Sequence, residues 1–202
     1  MITIIDYGMG NLRSVQKAFQ RINVSAIVTD KPTDIAKADK IILPGVGHFA
    51  QGMKNLADSG FIDAIKDAVI VKKKIILGIC LGMQLLTEHS EEGNVNGLGL
   101  IKGNVRKFPT PKKELKIPHM GWNSLISRKI SNLNFGIAQD DFVYFVHSYY
   151  TSCNNKDDVL FQTEYGIMFD SAFQHENIVG FQFHPEKSHQ TGSKLLSNFV
   201  KL

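Results

Sequence analysis

The chain has 202 residues, 43% of them hydrophobic and 21% charged, with a formal net charge of +4. That length suits one domain with an ample core, and no apolar run approaches the ~18 residues of a membrane span. Basic residues are dispersed except at Lys72–Lys74 and Lys112–Lys116, with no aromatic ladder beside them. A solvated basic face is expected, with no nucleic-acid partner.

Cys80 and Cys153 are the only cysteines, so no disulfide framework is implied and a cytoplasmic, reducing setting fits. The N-terminus passes from Met1 directly into Ile2-Thr3-Ile4-Ile5, which reads as a first strand rather than a signal peptide. The turn Asp6 to Asn11 follows, then a helix from Leu12 to Ile22 carrying Leu12, Val15, Phe19 and Ile22 at helical spacing. Gly8-x-Gly10 is a weak dinucleotide lookalike, because Arg13 stands where the third glycine of that fingerprint belongs.

Ser25 to Thr29 reads as a second strand, Pro32 to Ala38 as a short helix and Lys40 to Leu43 as a third strand. The loop Pro44-Gly45-Val46-Gly47-His48-Phe49 follows it, and its two glycines let backbone N–H groups turn outward. A long helix over Gln51 to Val71, broken near Gly60, leads into the apolar run Ile75 to Leu77. Strands alternating with helices predict a mainly parallel sheet with its site at the strands' carboxyl ends.

That run enters Gly78-x-Cys80-x-Gly82 and then Met83-Gln84-Leu85-Leu86-Thr87-Glu88, the opening of a helix. This is a cysteine version of the nucleophile elbow. A strand that reverses into a helix strains its corner residue, and the positions two before and two after must be small where the backbones pass. Cys80 then sits at a helix N-terminus, where unpaired N–H groups favour a thiolate, and the Leu81 N–H is free for an oxyanion. Beyond Glu92 the texture changes. Strands are expected at Phe142 to Val146, Val159 to Tyr165 and Ile178 to Phe183, as antiparallel additions to the same domain, and a helix at Ser193 to Val200.

His184-Pro185-Glu186 supplies what Cys80 lacks. Proline disfavours helical geometry at the residue before it, so the tripeptide is expected to be extended, with His184 and Glu186 on one side. Glu186 then orients the imidazole and His184 serves Cys80 as base, with activity rising through a near-neutral pKa. His48, His119 and His147 are too scattered to read as metal ligands, and Cys153 as incidental.

These stretches together resemble a class I (triad) glutamine amidotransferase, a flavodoxin-like α/β fold, and more narrowly the glutaminase subunits of imidazole glycerol phosphate synthases. The matching segments are Asp6 to Val15, Leu43 to Phe49, Gly78 to Gln84, Gly97 to Ile101, Pro118 to Asn123, Phe145 to Tyr149 and Phe181 to Ser188. They span essentially the whole chain, in order, and residues 1–202 are expected to form one domain. The resemblance implies that Cys80 attacks the side-chain amide of glutamine and forms a glutamyl thioester. His184, held by Glu186, would protonate the leaving ammonia and then activate water. It further implies an oxyanion hole at Leu81, Val46 and Gly47, and substrate contacts at Gly45, Gln84, Ser148 and Tyr149. Ammonia would pass to a (β/α)8-barrel cyclase in a heterodimer, across an interface holding Asn11, Trp122 in a loop, and Lys187. No metal and no cofactor are implied. A related possibility is a paralogous glutaminase feeding a sugar amidotransferase in surface polysaccharide synthesis. Two positions depart from the family pattern: His189 stands where glycine is expected and Met168 where proline is commoner.

Overall fold

The computed structural model describes residues 1–109 and 115–202, so Lys112 and Lys113 of the expected basic cluster lie outside the described residues. The strands in chain order are β1 (Ile2–Ile5), β2 (Ala26–Thr29), β3 (Lys40–Gly45), β4 (Ile75–Cys80), β5 (His89–Ser90), β6 (Val95–Asn96) and β7 (Gly103–Lys107). They continue as β8 (His119–Ser124), β9 (Ile126–Ser127), β10 (Phe142–His147), β11 (Tyr149–Cys153), β12 (Val159–Glu164), β13 (Met168–His175) and β14 (Ile178–Phe181). The helices are α1 (Leu12–Arg21), α2 (Phe49–Asp58), α3 (Phe61–Lys66), α4 (Leu81–Leu85) and α5 (His189–Lys201).

The main sheet runs β2-β1-β3-β4-β14-β13-β11-β7-β5-β6. Its first five strands are parallel, which is the doubly wound order with its site at the strands' carboxyl ends. β1, β3 and β4 are near-continuous apolar runs because helices cover both faces. One core packs α1 and α5 on one face through Phe19, Leu195 and Phe199; the other packs α2, α3 and α4 through Leu56, Phe61 and Leu81. β13 joins the parallel half to antiparallel β11 and β7, and β12 and β9 pair off to the side. β8 and β10 form a separate two-stranded antiparallel ribbon.

Several expectations change. β3 continues through Pro44 to Gly45, consuming the start of the expected loop. The expected long helix is α2, a left-handed Gly60 and α3, ending in a π-helical turn at Asp67–Val71. The elbow helix is only the five residues of α4, stopping at Leu85. Trp122 lies not in a loop but in β8, opposite Tyr144. α5 begins at His189, where φ is +46°. That left-handed backbone is why glycine would be expected there.

The elbow shows why its glycines are needed. A Cβ on Gly78 would meet the Gly82 carbonyl oxygen and the Met83 nitrogen at 2.6 Å, and one on Gly82 would fall inside the Leu43 carbonyl oxygen. Gly82→Ala must therefore push α4 away from β3. The expected cost is about 3 kcal/mol, or a fall in Tm of roughly 10 °C, read by thermal unfolding.

Candidate active site

β4 delivers Cys80 to the carboxyl edge of the sheet with φ 55° and ψ −112°. A non-glycine residue adopts such a conformation only where its surroundings enforce it. Strand pairing with β3 and β14 on either side does so here. The side chain is 6% exposed. Its sulfur lies 3.8 Å from the Val146 carbonyl oxygen and 3.9 Å from Gln182 Nε2. Leu81 opens α4, so its N–H precedes the intrahelical ladder.

β14 ends beside β4 and carries the chain into His184-Pro185-Glu186. His184 is extended, but Pro185–Lys187 is a 3-10 turn rather than the extended segment expected. Proline's fixed φ suits the first position of a helical turn, and the turn brings Glu186 back onto the ring. His184 Nδ1 donates to Glu186 Oε1 at 2.7 Å. α5 then packs on this turn, where a Cβ on Gly192 would fall inside the Pro185 carbonyl oxygen.

His184 is 2% exposed, and its Nε2 is buried with no partner at hydrogen-bond distance. The interaction with Cys80 is loose in this state, as catalytic hydrogen bonds often are before substrate binds. Burial alone disfavours the imidazolium, but the nearby Cys80 sulfur and the hydrogen bond and charge of Glu186 outweigh it and hold the pKa well above the usual histidine range.

A cavity of about 170 Å³ opens over the sulfur, lined by Val46, Gly47, Cys80, Leu81, Gln84, Glu92, Val146, His147, Ser148 and Tyr149. Six of the positions expected to hold an oxyanion or substrate thus line one space with Cys80. Gly45 does not. It lies beneath, where a Cβ would meet the Tyr7 hydroxyl at 2.7 Å and the Gly82 nitrogen at 2.8 Å. Asn11 caps α1 through its side-chain oxygen. Lys187 Nζ sits 5.5 Å over the Tyr144 ring, Trp122 is 45% exposed, and His189 stacks on Trp122 at 4.9 Å. Trp122 and Lys187 therefore share one aromatic, cationic surface cluster, and α1, which Asn11 caps, packs against the turn that carries Lys187.

Sequence reasoning missed several site residues. Tyr7 donates to the Pro44 carbonyl oxygen at 2.8 Å and braces the glycine loop; burial, then the Cys80 charge, raises its pKa. Glu92 lines the cavity and accepts the Phe49 N–H at 2.7 Å. Gln182 reaches the sulfur from β14's end. His119 and His147, expected to be scattered, are hydrogen-bonded at 3.0 Å and buried. Burial lowers their pKa values to about 4 and about 3. Cys153 is buried, which pushes its thiol up to about 12. Among the described residues no group of three or more His, Cys, Asp or Glu side chains is placed to hold a metal, and no helix is long and apolar enough to cross a membrane.

Comparison with known proteins identifies the family. The family model "Glutamine amidotransferase class-I" matches residues 3–202. Imidazole glycerol phosphate synthase subunit HisH 2 of Methanococcus maripaludis is 49% identical over 201 residues, covering 100% of this chain and 99% of the relative. Subunit HisH of Sulfurimonas denitrificans is 50% identical over 204 residues, covering 100% and 98%. Among solved structures, PurLQS from Thermotoga maritima superposes with a TM-score of 0.74 at 19% identity, covering 99% of this chain and 97% of that one. A glutamine amidotransferase from Thermotoga maritima gives 0.64 at 16%, covering 99% and 82%. At such identity these two show the fold alone.

Proposed function

Because this chain belongs to the class-I glutamine amidotransferase family, we propose that it is the glutaminase subunit of an imidazole glycerol phosphate synthase, acting in histidine biosynthesis. The observation that carries the chemistry is Cys80 at a strained strand end, facing a His184 whose ring is fixed by Glu186 at 2.7 Å. Full-length relatives near 50% identity carry the choice of pathway.

The thiolate of Cys80 attacks the side-chain amide carbon of glutamine, and the carbonyl oxygen becomes an oxyanion. The Leu81 N–H and the Val46-Gly47 backbone, which border the same cavity, receive that charge. The imidazolium of His184 gives its proton to the amide nitrogen, the C–N bond breaks, and ammonia leaves a glutamyl thioester on Cys80. His184, now neutral, takes a proton from water. The resulting hydroxide cleaves the thioester to glutamate and restores the thiolate–imidazolium pair. Glu92, the acidic group of the cavity lining, suits the substrate's α-ammonium, while Gln84, Ser148 and Tyr149 bound its other side.

Ammonia released into water becomes ammonium and is lost as a nucleophile, so the product needs a protected path to a (β/α)8 cyclase. The Trp122–Lys187 cluster and the Asn11 turn are the surfaces we assign to that partner. There the ammonia would be used to make imidazole glycerol phosphate and an aminoimidazole carboxamide ribotide. Glutamine turnover is measured for the chain alone, with the cyclase, and with the cyclase plus its nucleotide ligand. Turnover is expected to rise with each addition, by on the order of tenfold or more in the full complex. Equal turnover in all three states contradicts the coupling.

A second reading keeps the glutaminase and changes its customer. Methanococcus maripaludis holds two relatives, subunits HisH 2 and HisH 1, which are 49% and 45% identical to this chain. Overall identity therefore separates such copies poorly. Turnover that responds to a sugar-modifying amidotransferase instead of the cyclase would favour this reading.

A further inference from the structure

Gln182 is fully buried and does not line the cavity over the sulfur. Its polarity is set by a chain of contacts that begins at a group unable to donate. The Tyr149 carbonyl oxygen accepts from Gln84 Nε2 at 2.9 Å. Gln84 must therefore present its NH2, and the same nitrogen donates to Gln182 Oε1 at 2.9 Å. With its oxygen engaged there, Gln182 presents its own NH2 to Cys80 Sγ, 3.9 Å away. Reversing either amide would face a donor with a donor or an acceptor with an acceptor.

The Tyr149 carbonyl is held from its other side by the histidine pair. His147 Nδ1 lies 2.8 Å from it, so that nitrogen carries the hydrogen and His147 Nε2 is bare. His119 Nδ1, at 3.0 Å, must then donate to it. His119 Nε2 is left to accept from Asn123 Nδ2 at 3.3 Å. Donation thus converges on the Tyr149 carbonyl from the histidines on one side and from Gln84 on the other, and Gln84 also donates to Gln182, which donates on to the sulfur.

Resting on the glutaminase reading for its catalytic meaning, we infer that Gln182 is a positioning residue that donates an N–H to the Cys80 sulfur, with its polarity locked by Gln84 and the Tyr149 carbonyl. The neutral thiol sits between the Val146 carbonyl oxygen at 3.8 Å and this amide. When the thiol loses its proton, the carbonyl becomes repulsive and the amide becomes the buried donor on the thiolate's inner side. Hydrogen bonds to charged groups are shorter and stronger than neutral ones, so the contact tightens as charge appears. His184 is thereby left free to carry its proton to the leaving nitrogen.

The test reads the thiolate directly and does not require glutamine. Cys80 in the full-length chain is alkylated with iodoacetamide across a pH series, with the labelled peptide resolved from that of Cys153. Gln182→Met keeps length and removes the donor; Gln182→Glu keeps shape and replaces the donor by an acceptor. Near pH 7 the Cys80 rate should fall about tenfold for Gln182→Met and further for Gln182→Glu. The deficit should shrink at high pH, where thiolate formation is complete. A change in access or packing would instead lower the rate at every pH. Wild-type profiles in both variants, or a deficit independent of pH, would overturn the assignment. If the Gln182 variants do not fold, Gln84→Met frees the Gln182 amide to turn. It should then lower the near-neutral rate in the same pH-dependent way, and an unchanged profile would count against the inference. Glutamine turnover measured in parallel should lose kcat with little change in KM. Alkylation that behaves as expected while wild-type turnover is absent even with the cyclase and its nucleotide ligand would leave Gln182 in place and remove the glutaminase reading.

Discussion

Cys80→Ala is expected to abolish glutamate release, by a factor of at least ~10³, with the cyclase present and the fold intact. The size follows from the lack of a substitute. Cys153, the other sulfur, is a buried thiol pushed up to about 12 and held on β11, away from the cavity lining. Alanine also removes a partner of the strained corner without adding bulk, so the thermal midpoint should stay close to that of wild type. Release of glutamate by coupled assay, beside a thermal unfolding curve, checks both statements. Near-normal release would remove Cys80 from the mechanism.

Glu186→Gln is expected to lower kcat by on the order of 10²–10⁴ with a smaller effect on KM. The carboxylate holds Nδ1 at 2.7 Å and so fixes both the tautomer and the aim of Nε2. Glutamine keeps an oxygen acceptor, but the stabilising charge is gone. The sign of the pH effect follows from the raised pKa of His184. A raised value means that the imidazolium persists through neutral pH and is lost only as pH rises well above it. Activity that needs this proton should therefore decline on the alkaline side, and Glu186→Gln should move that decline to lower pH. The limb that reports His184 is therefore the alkaline decline, in place of the near-neutral rise that the sequence alone suggests. An alkaline limb unmoved in the variant would make Glu186 a structural group.

The parts of the site legible in the sequence are those whose constraints lie within a few residues. Gly78, Cys80 and Gly82 are read together because a strand-to-helix corner is local, and the clash at Leu43 is its long-range confirmation. His184 and Glu186 were paired correctly for a reason that proved incomplete. Pro185 opens a helical turn as readily as it ends one, and the turn, not an extended strand, closes the 2.7 Å bond. Gln182 was passed over because its partner Gln84 is 98 residues away. His119 and His147 looked unrelated at a separation of 28, and only the antiparallel register of β8 and β10 pairs them.

β13 was also missed, although it is the hinge between the parallel and antiparallel halves. Its centre, Asp170-Ser171, reads as a break in an apolar pattern. Both side chains are buried, and Asp170 accepts from the Cys153 N–H, Gln162 and Lys156. A buried carboxylate so satisfied is compatible with a central strand, but nothing in the strand itself announces its partners. His189 shows the reverse case. The departure from glycine stands out in the sequence, and the structure shows a left-handed residue whose ring stacks on Trp122 at 4.9 Å.

The central claim is that Cys80 forms a covalent bond to the acyl group of glutamine. Its most direct measurement is rapid acid quenching of the chain with glutamine and the cyclase, followed by peptide mass spectrometry, with Glu186→Gln used to slow hydrolysis. A glutamyl adduct is expected on the peptide bearing Cys80, absent in Cys80→Ala and discharged by neutral hydroxylamine. Glutamate release without any such adduct, or an adduct carried by Cys153 instead, would contradict it.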